Sequence, residues 1–301
     1  EREANDARVR ELVAKLEAHP DRFVRLDVPA DNDFMTWYEE VQRRYELKPY
    51  VEIGTPNPFV MQNRYRTSDG QEMVFVVNSH RYDAHRTTLT FAPELTRGRY
   101  PWVWNLVDGT CYRAELSTQG GIEVDLGPTD SLLFVFNKQK NGPRWQPLPV
   151  SGPGERRLDG WKAELRHSRE GWVKTIDMDE LCDLKETEYI NFTGTVVYRK
   201  RFEVSDPPAC GVLNLGRVAG VAQVKLNGEE LGVSWSGRRL YDIAGKLRRG
   251  DNELEVKVVT TLGNYMRTLA ENPTAQKWTA GRKEQPDQSM GLIGPVTLYG
   301  K

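Results

Sequence analysis

Cysteine is scarce, with three in 301 residues: Cys111, Cys182 and Cys210, widely spaced and without a C-x-x-C. An odd, scattered set in a chain this long speaks against a disulfide framework and reads as buried or half-buried free thiols. No apolar run approaches the ~18 residues of a helical membrane span. Neither sign of charge dominates: 42 Lys plus Arg stand against 43 Asp plus Glu, a formal net charge of −1. The electrostatic footprint of a nucleic-acid binder is therefore missing. The opening Glu1-Arg2-Glu3-Ala4-Asn5-Asp6 has no apolar signal-peptide core and no initiator Met, which fits a processed chain or a piece cut from a longer one. The chain also lacks H-E-x-x-H, G-x-x-x-x-G-K-[ST] and a G-x-G-x-x-G following a strand.

What is present suffices for packed cores: 38% apolar and 28% charged residues, with 8 Trp and 12 Tyr. At a soft prior of ~150 residues per domain the length allows about two domains. Residues 1–55 read as a short α/β segment. Ala4, Ala7, Val9, Leu12, Val13 and Leu16 recur at helical spacing, and Asp31-Asn32-Asp33 offers caps to a second helix with the stripe Phe34, Trp37, Tyr38, Val41 and Tyr45. Phe23-Val24-Arg25-Leu26 and Tyr50-Val51-Glu52-Ile53 look like short strands. Two helices and two strands bury too little for a complete domain, so this segment reads as the tail of a truncated one.

From residue 56 to 140 the period changes to two. Glu72–Asn78, Thr87–Phe91, Ile122–Leu126 and Ser131–Phe136 are short strands, and Trp102–Val107 meets Thr110–Ala114 across Asp108-Gly109, a signal for a two-residue hairpin. These elements predict a small antiparallel β-sandwich. A Pro/Gly-rich linker over 142–154 leads to a second β region, 150–301. There Val196–Val204 alternates cleanly, Ala222–Leu226 turns at Asn227-Gly228 into Leu231-Gly232-Val233, Glu253–Val259 alternates again, and Gly294–Tyr299 closes the chain. The expected architecture is mainly β: two antiparallel β-sandwiches, the second of jelly-roll type, preceded by the α/β segment.

Catalytic signatures are not found. Gly232-Val233-Ser234-Trp235-Ser236-Gly237 resembles a nucleophile elbow but lacks its glycine spacing and lies in a hairpin. His80 and His85, five apart around a loop, fall on opposite faces of any strand and read as loop histidines; His19 sits at a helix end and His167 stands alone. A glycosidase needs only two carboxylates, but the fold places them, and spacing selects no pair among 43 acids. Asp177-Met178-Asp179-Glu180 and Asp159 read as solvated loop charges, with a structural calcium ion at a sandwich rim as the alternative. Asn191-Phe192-Thr193 fits the glycosylation triplet but reads as the start of a strand. No catalytic residue, and no other cofactor, is assigned.

A ligand platform is easier to sketch. Trp235, Arg238, Arg239, Tyr241 and Asp242 cluster after the Asn227-Gly228 hairpin. Ring faces stack on sugars while Arg and Asp bond hydroxyls, so these five are the candidate carbohydrate-binding residues. The competing reading has Trp235 and Tyr241 packing the sandwich edge with the arginines solvated. Asn264-Tyr265-Met266-Arg267, continuing through Trp278, is a second candidate loop.

Phe192–Phe202, the hairpin Val224–Gly232 and the strand Gly250–Val256 follow the order "strand, V-x-x-N-G-x-x-x-G hairpin, G-x-N-x-L-x-V strand". That order resembles the sugar-binding, galactose-binding-like jelly roll of glycoside hydrolase family 2. The ending Ser289–Val296, with Asn63-Arg64-Tyr65-Arg66 and Glu72–Ser79 upstream, resembles the C-terminal part of family 106 glycoside hydrolases, the α-L-rhamnosidase-like enzymes. The resemblance spans residues 45–300. It implies an accessory region of a polysaccharide-degrading enzyme, with carbohydrate and the parent's catalytic domain as partners, no nucleic-acid or membrane partner, and a secreted or periplasmic location if the parent is bacterial. The family's catalytic barrel is not legible in these 301 residues, so none of its catalytic residues is carried over. The alternative is a standalone carbohydrate-binding or structural β-sandwich protein. The accessory reading predicts an exposed apolar patch where the barrel would dock; the standalone reading predicts a polar, finished surface around residues 1–55.

Overall fold

The computed structural model describes residues 2–207, 211–279 and 286–300. The chain forms two compact units, one up to Tyr50 and one from Val51 onward. Among the described residues no helix is long and apolar enough to cross a membrane.

The first unit is helical. α1 spans Arg2–Glu17 and α2 spans Phe34–Arg44. α2 starts where the Asp31-Asn32-Asp33 signal places it: the Asp33 carboxylate accepts from the Thr36 amide at 3.1 Å and from its hydroxyl at 2.7 Å. No residue of α2 is buried, and Val9, Leu12, Leu16, Phe34 and Tyr38 leave their apolar stripes exposed. The expected strand at Phe23–Leu26 does not form. Four residues of suitable type make a strand only when a neighbour accepts their hydrogen bonds, and no strand lies among the described residues of this unit. Residues 1–55 thus hold both expected helices and one of the two expected strands, the one at Tyr50–Ile53, which forms as Val51–Ile53 and pairs inside the second unit.

The second unit is mainly β, and every ladder between its named strands is antiparallel. Its first part contains β1 (Val51–Ile53), β2 (Val60–Arg66), β3 (Glu72–Asn78), β4 (His85–Phe91), β5 (Tyr100–Trp104), β6 (Cys111–Arg113), β7 (Gly121–Leu126) and β8 (Ser131–Asn137). They form a three-stranded sheet, β1-β4-β7, and a five-stranded sheet, β2-β3-β8-β5-β6. Val74, Val76, Phe134 and Phe136 from one sheet meet Leu89, Phe91, Ile122 and Val124 from the other in a single core. The two-residue turn expected at Asp108-Gly109 is instead a six-residue loop, Asn105–Thr110, closed by Asn105 N–H to Thr110 C=O at 2.8 Å. Only Gly109 takes a positive φ there, whereas a type I′ turn needs two; the Asp108 carboxylate instead accepts from Thr110 N and Oγ1.

The second part contains β9 (Arg156–Arg157), β10 (Trp161–His167), β11 (Val173–Met178), β12 (Gly194–Val204), β13 (Gly211–Asn214), β14 (Arg217–Ala219), β15 (Val221–Leu226), β16 (Glu229–Ser234), β17 (Leu240–Asp242), β18 (Gly250–Val259), β19 (Gly291–Gly294) and β20 (Thr297–Gly300). A six-stranded sheet, β11-β10-β12-β18-β15-β16, faces a four-stranded one, β17-β13-β20-β9, and β14 pairs with β19. Ala163, Leu165, Val196, Tyr198, Val224 and Val256 of the larger sheet pack on Leu213, Tyr241 and Leu298 of the smaller. The Asn227-Gly228 turn forms as expected, with φ of 54° and 82° joining Leu226 to Glu229.

Candidate functional site

The five candidate residues after that hairpin do not gather into one platform. β16 ends at Ser234, whose hydroxyl meets the Tyr241 hydroxyl at 2.6 Å. That bond turns Ser234 inward, so Val233 and Trp235 on either side of it face out. Trp235 is 55% exposed. Tyr241 lies in the core between the sheets, and burial raises the pKa of its phenol. Asp242 follows it on β17 with its side chain on the opposite face, exposed, accepting from Ala244 N at 3.0 Å. Arg239 is only 7% exposed and donates to the carbonyls of Ser236 and Gly220; burial lowers its pKa. Arg238 reaches away from the others. Its Nη2 donates to both carboxylate oxygens of Asp125 on β7, at 2.9 and 3.1 Å.

Trp235 belongs with an apolar row on the outer face of the six-stranded sheet. Val221 on β15 stands opposite Val259 on β18, and Ala222 pairs with Ser234, which brings Trp235 to the Val221 end of β15. Val221, Val233, Trp235 and Val259 are all exposed.

In the second candidate loop, buried Asn264 clamps Gln288, donating to its carbonyl at 2.9 Å and accepting from its amide at 2.8 Å. The Tyr265 ring lies 5.1 Å from the ring of His167, and Arg267 pairs with Asp287. The side chain of Trp278 lies outside the described residues, as does Cys210. Cys111 and Cys182 are free and half-buried, and burial raises the Cys182 pKa. Asp159, Asp177 and Glu180 pair with Arg157, Lys162 and Arg157. Among the described residues no group of three or more His, Cys, Asp or Glu is placed to hold a metal ion.

A concave feature lies where the two sandwiches of the second unit meet. There the backbones touch: Gly237 N–H donates to Pro128 C=O at 2.9 Å, and a Cβ on Gly127 would stand 2.5 Å from the Arg238 nitrogen. Beside this seam opens a cleft of about 720 Å³ with, among the described residues, arginines at four lining positions, Arg81, Arg217, Arg238 and Arg239, against one acid, Asp287. The Arg217 guanidinium sits 5.2 Å from the centre of the Tyr82 ring and donates to Ser289 Oγ at 2.7 Å. Apart from Arg238 and Arg239, these residues escaped the sequence reading, since they come from separate loops with no local spacing to connect them.

No protein-family model matches the chain. A protein of Formosa agariphila named "Putative beta-glucuronidase" is 30% identical over 161 residues, covering 42% of this chain and 14% of the relative. Among solved structures, a rhamnosidase from Novosphingobium sp. PP1Y matches with a TM-score of 0.59 and 23% identity, over 87% of this chain and 26% of that one. A β-glucuronidase from Ruminococcus gnavus covers 51% of this chain at a TM-score of 0.35 and 19% identity, too partial a likeness to argue from. The chain therefore spans 14% of the curated relative and 26% of the rhamnosidase, and it contains a region related to glycoside hydrolases.

Proposed function

We propose that this chain is a non-catalytic accessory region of a family 106, α-L-rhamnosidase-like glycoside hydrolase acting on rhamnose-containing or related plant polysaccharides. It docks on the enzyme's catalytic domain and contacts glycan. The observation that carries this reading is the exposed apolar surface of the helical unit, Val9, Leu12, Leu16, Phe34 and Tyr38, which a finished standalone protein would cover or replace with polar residues. The fold match to one quarter of a larger rhamnosidase supports it, as does the outward apolar row around Trp235. In this reading the second sandwich is a sugar-binding jelly roll and Trp235 its glycan-facing ring, with residues 56–140 and 150–301 as separate sandwiches.

The purified chain is expected to leave an aryl α-L-rhamnoside intact, and hydrolysis would overturn the non-catalytic reading. Titration with rhamnosides and pectic oligosaccharides, followed by Trp fluorescence, is expected to give a saturable signal that Trp235→Ala abolishes. An identical response in the variant would remove Trp235 from the contact.

A further inference from the structure

Charge in the seam cleft is unevenly compensated. Arg238 is neutralised by Asp125, and the lining acid Asp287 is taken by Arg267. Among the described residues, no carboxylate lies within ion-pair distance of Arg81, Arg217 or Arg239. Arg239 is more than nine-tenths buried and satisfied only by carbonyl oxygens, which leave its full charge in place. Asp130 acts on it only from beyond ion-pair distance, and a buried guanidinium without a direct counter-ion is costly, a cost that an anion entering the cleft relieves. Clustered like charges beside low-dielectric walls also focus the field into the concavity.

The cleft offers more than charge. Tyr82 carries Arg217 near its ring and remains 62% exposed, so it presents an apolar surface at the rim. Ser289 already holds Arg217 in place, which preorganises that guanidinium for an incoming oxyanion. The volume of about 720 Å³ lies in the range of sites for small ligands and exceeds what an inorganic anion needs.

We propose that the seam cleft binds an anionic saccharide, a sugar bearing a carboxylate or a sulfate, with Arg81, Arg217 and Arg239 facing the oxyanion and Tyr82 against the ring. The saccharide part rests on the accessory-region reading above; the anion part rests on the arginines alone. The ligand's charge is recognised at the seam by residues other than Trp235, which is not among those lining the cleft. Arg217 and Arg81 are the residues to vary, because Arg238 and Arg239 also hold the structure together.

The test is calorimetric titration of the whole chain with trigalacturonate, with a sulfated heparin-derived tetrasaccharide, with neutral maltotriose and with sodium sulfate. Either or both anionic oligosaccharides are expected to bind, and the arm that responds identifies carboxylate or sulfate as the recognised group. Affinity should weaken as salt rises from about 50 to about 500 mM. Arg217→Gln and Arg81→Gln should each lose at least about tenfold, the size of one charge-assisted hydrogen bond, with unchanged melting temperature. Equal binding of maltotriose, binding unaffected by either variant, or no binding of either anionic oligosaccharide would overturn the proposal. So would sodium sulfate binding alone, since it leaves an anion site without a sugar. A Trp235-dependent response to rhamnosides with none of these signals would leave the accessory-region reading standing and this one refuted.

Discussion

Arg238 Nη2 donates to both carboxylate oxygens of Asp125, across 113 residues of sequence and from one sandwich to the other. Two backbone contacts accompany the pair: Gly237 N–H meets Pro128 C=O, and Gly127 leaves room for Arg238 where a methyl group would stand 2.5 Å from its nitrogen. The ion pair is about a third exposed on each side, so screening limits it to roughly 0.5–1 kcal/mol. The close approach at Gly127 matters more, because two of its three nearest neighbours, Arg238 N and Gly237 C, are backbone atoms that cannot rotate away. Gly127→Ala is expected to cost about 1–3 kcal/mol and Arg238→Ala about 1 kcal/mol or less. Denaturant melts of the two variants would check the order, and a larger loss in Arg238→Ala would show that charge, not fit, holds the seam.

A second prediction concerns two asparagines from the motifs that carry the family resemblance. Asn227 Nδ2 donates to Asn252 Oδ1 at 2.9 Å and to Lys246 C=O at 3.0 Å, while its Oδ1 accepts from Glu253 N. Asn252 is buried, accepts from Arg248 N and donates to the carbonyls of Arg248 and Gly250. Either alanine variant leaves buried polar groups unpaired, which costs about 2–3 kcal/mol. Because they share a bond, the double variant should lose about 1 kcal/mol less than the sum of the singles. Strict additivity in a double-mutant cycle would mean the motif residues act independently.

These asparagines also mark what was legible in advance. The V-x-x-N-G and G-x-N spacings correctly locate the hairpin and the following strand, because Asn227 and Gly228 take the positive φ of the turn and Asn252 bonds backbone within four residues of itself. Asp108-Gly109 carries the same local signal and yields a longer loop, since the Asp108 side chain bonds forward to Thr110 instead of yielding to the turn. Phe23–Leu26 has strand-like residues but no neighbour to pair with. The candidate site is the extreme case. Trp235 through Asp242 are close in sequence, yet alternation along β17 and the pull of Asp125 send them to the surface, the core and the seam. Arg81 and Tyr82 are far from Arg217 in sequence and meet it only through the packing of two sandwiches.

Asp130 sits at that seam under Gly237, accepting from Gly127 N at 2.9 Å and Ser131 N at 2.8 Å. Burial raises its pKa above the usual aspartate value, against the opposing pull of these two bonds. The folded state therefore holds the proton more tightly than the unfolded chain. Its contribution to stability is fully present below the unfolded value of about 3.9 and is lost as pH rises through the folded pKa. Asp130→Asn cannot titrate and must turn an amide N–H toward one of two N–H donors, a loss of about 1–2 kcal/mol at neutral pH. The gap between wild type and variant should widen on acidification. A gap that narrows as pH falls would contradict the raised pKa.

Glu72, in the first sandwich, has the opposite sign. Its side chain is 0% exposed, yet it faces Arg64 Nε at 2.9 Å and also pairs with Arg66, both on the neighbouring strand β2. Burial pushes the carboxyl up, but the hydrogen bonds and charges of the two arginines together outweigh it and leave the pKa below the ordinary glutamate value. The contribution is thus present above the unfolded value of about 4.3 and disappears as pH falls through the folded pKa. Glu72→Gln keeps the shape and removes the charge that Arg64 and Arg66 face. Since Arg66 is well exposed, the expected loss is about 2–3 kcal/mol at neutral pH, below the full figure for a wholly buried pair. Melting curves taken from neutral pH to about pH 3 should show wild type and Glu72→Gln converging as the wild-type carboxylate protonates. Parallel curves over that range would place the stabilisation in packing around β3 and not in the ion pair.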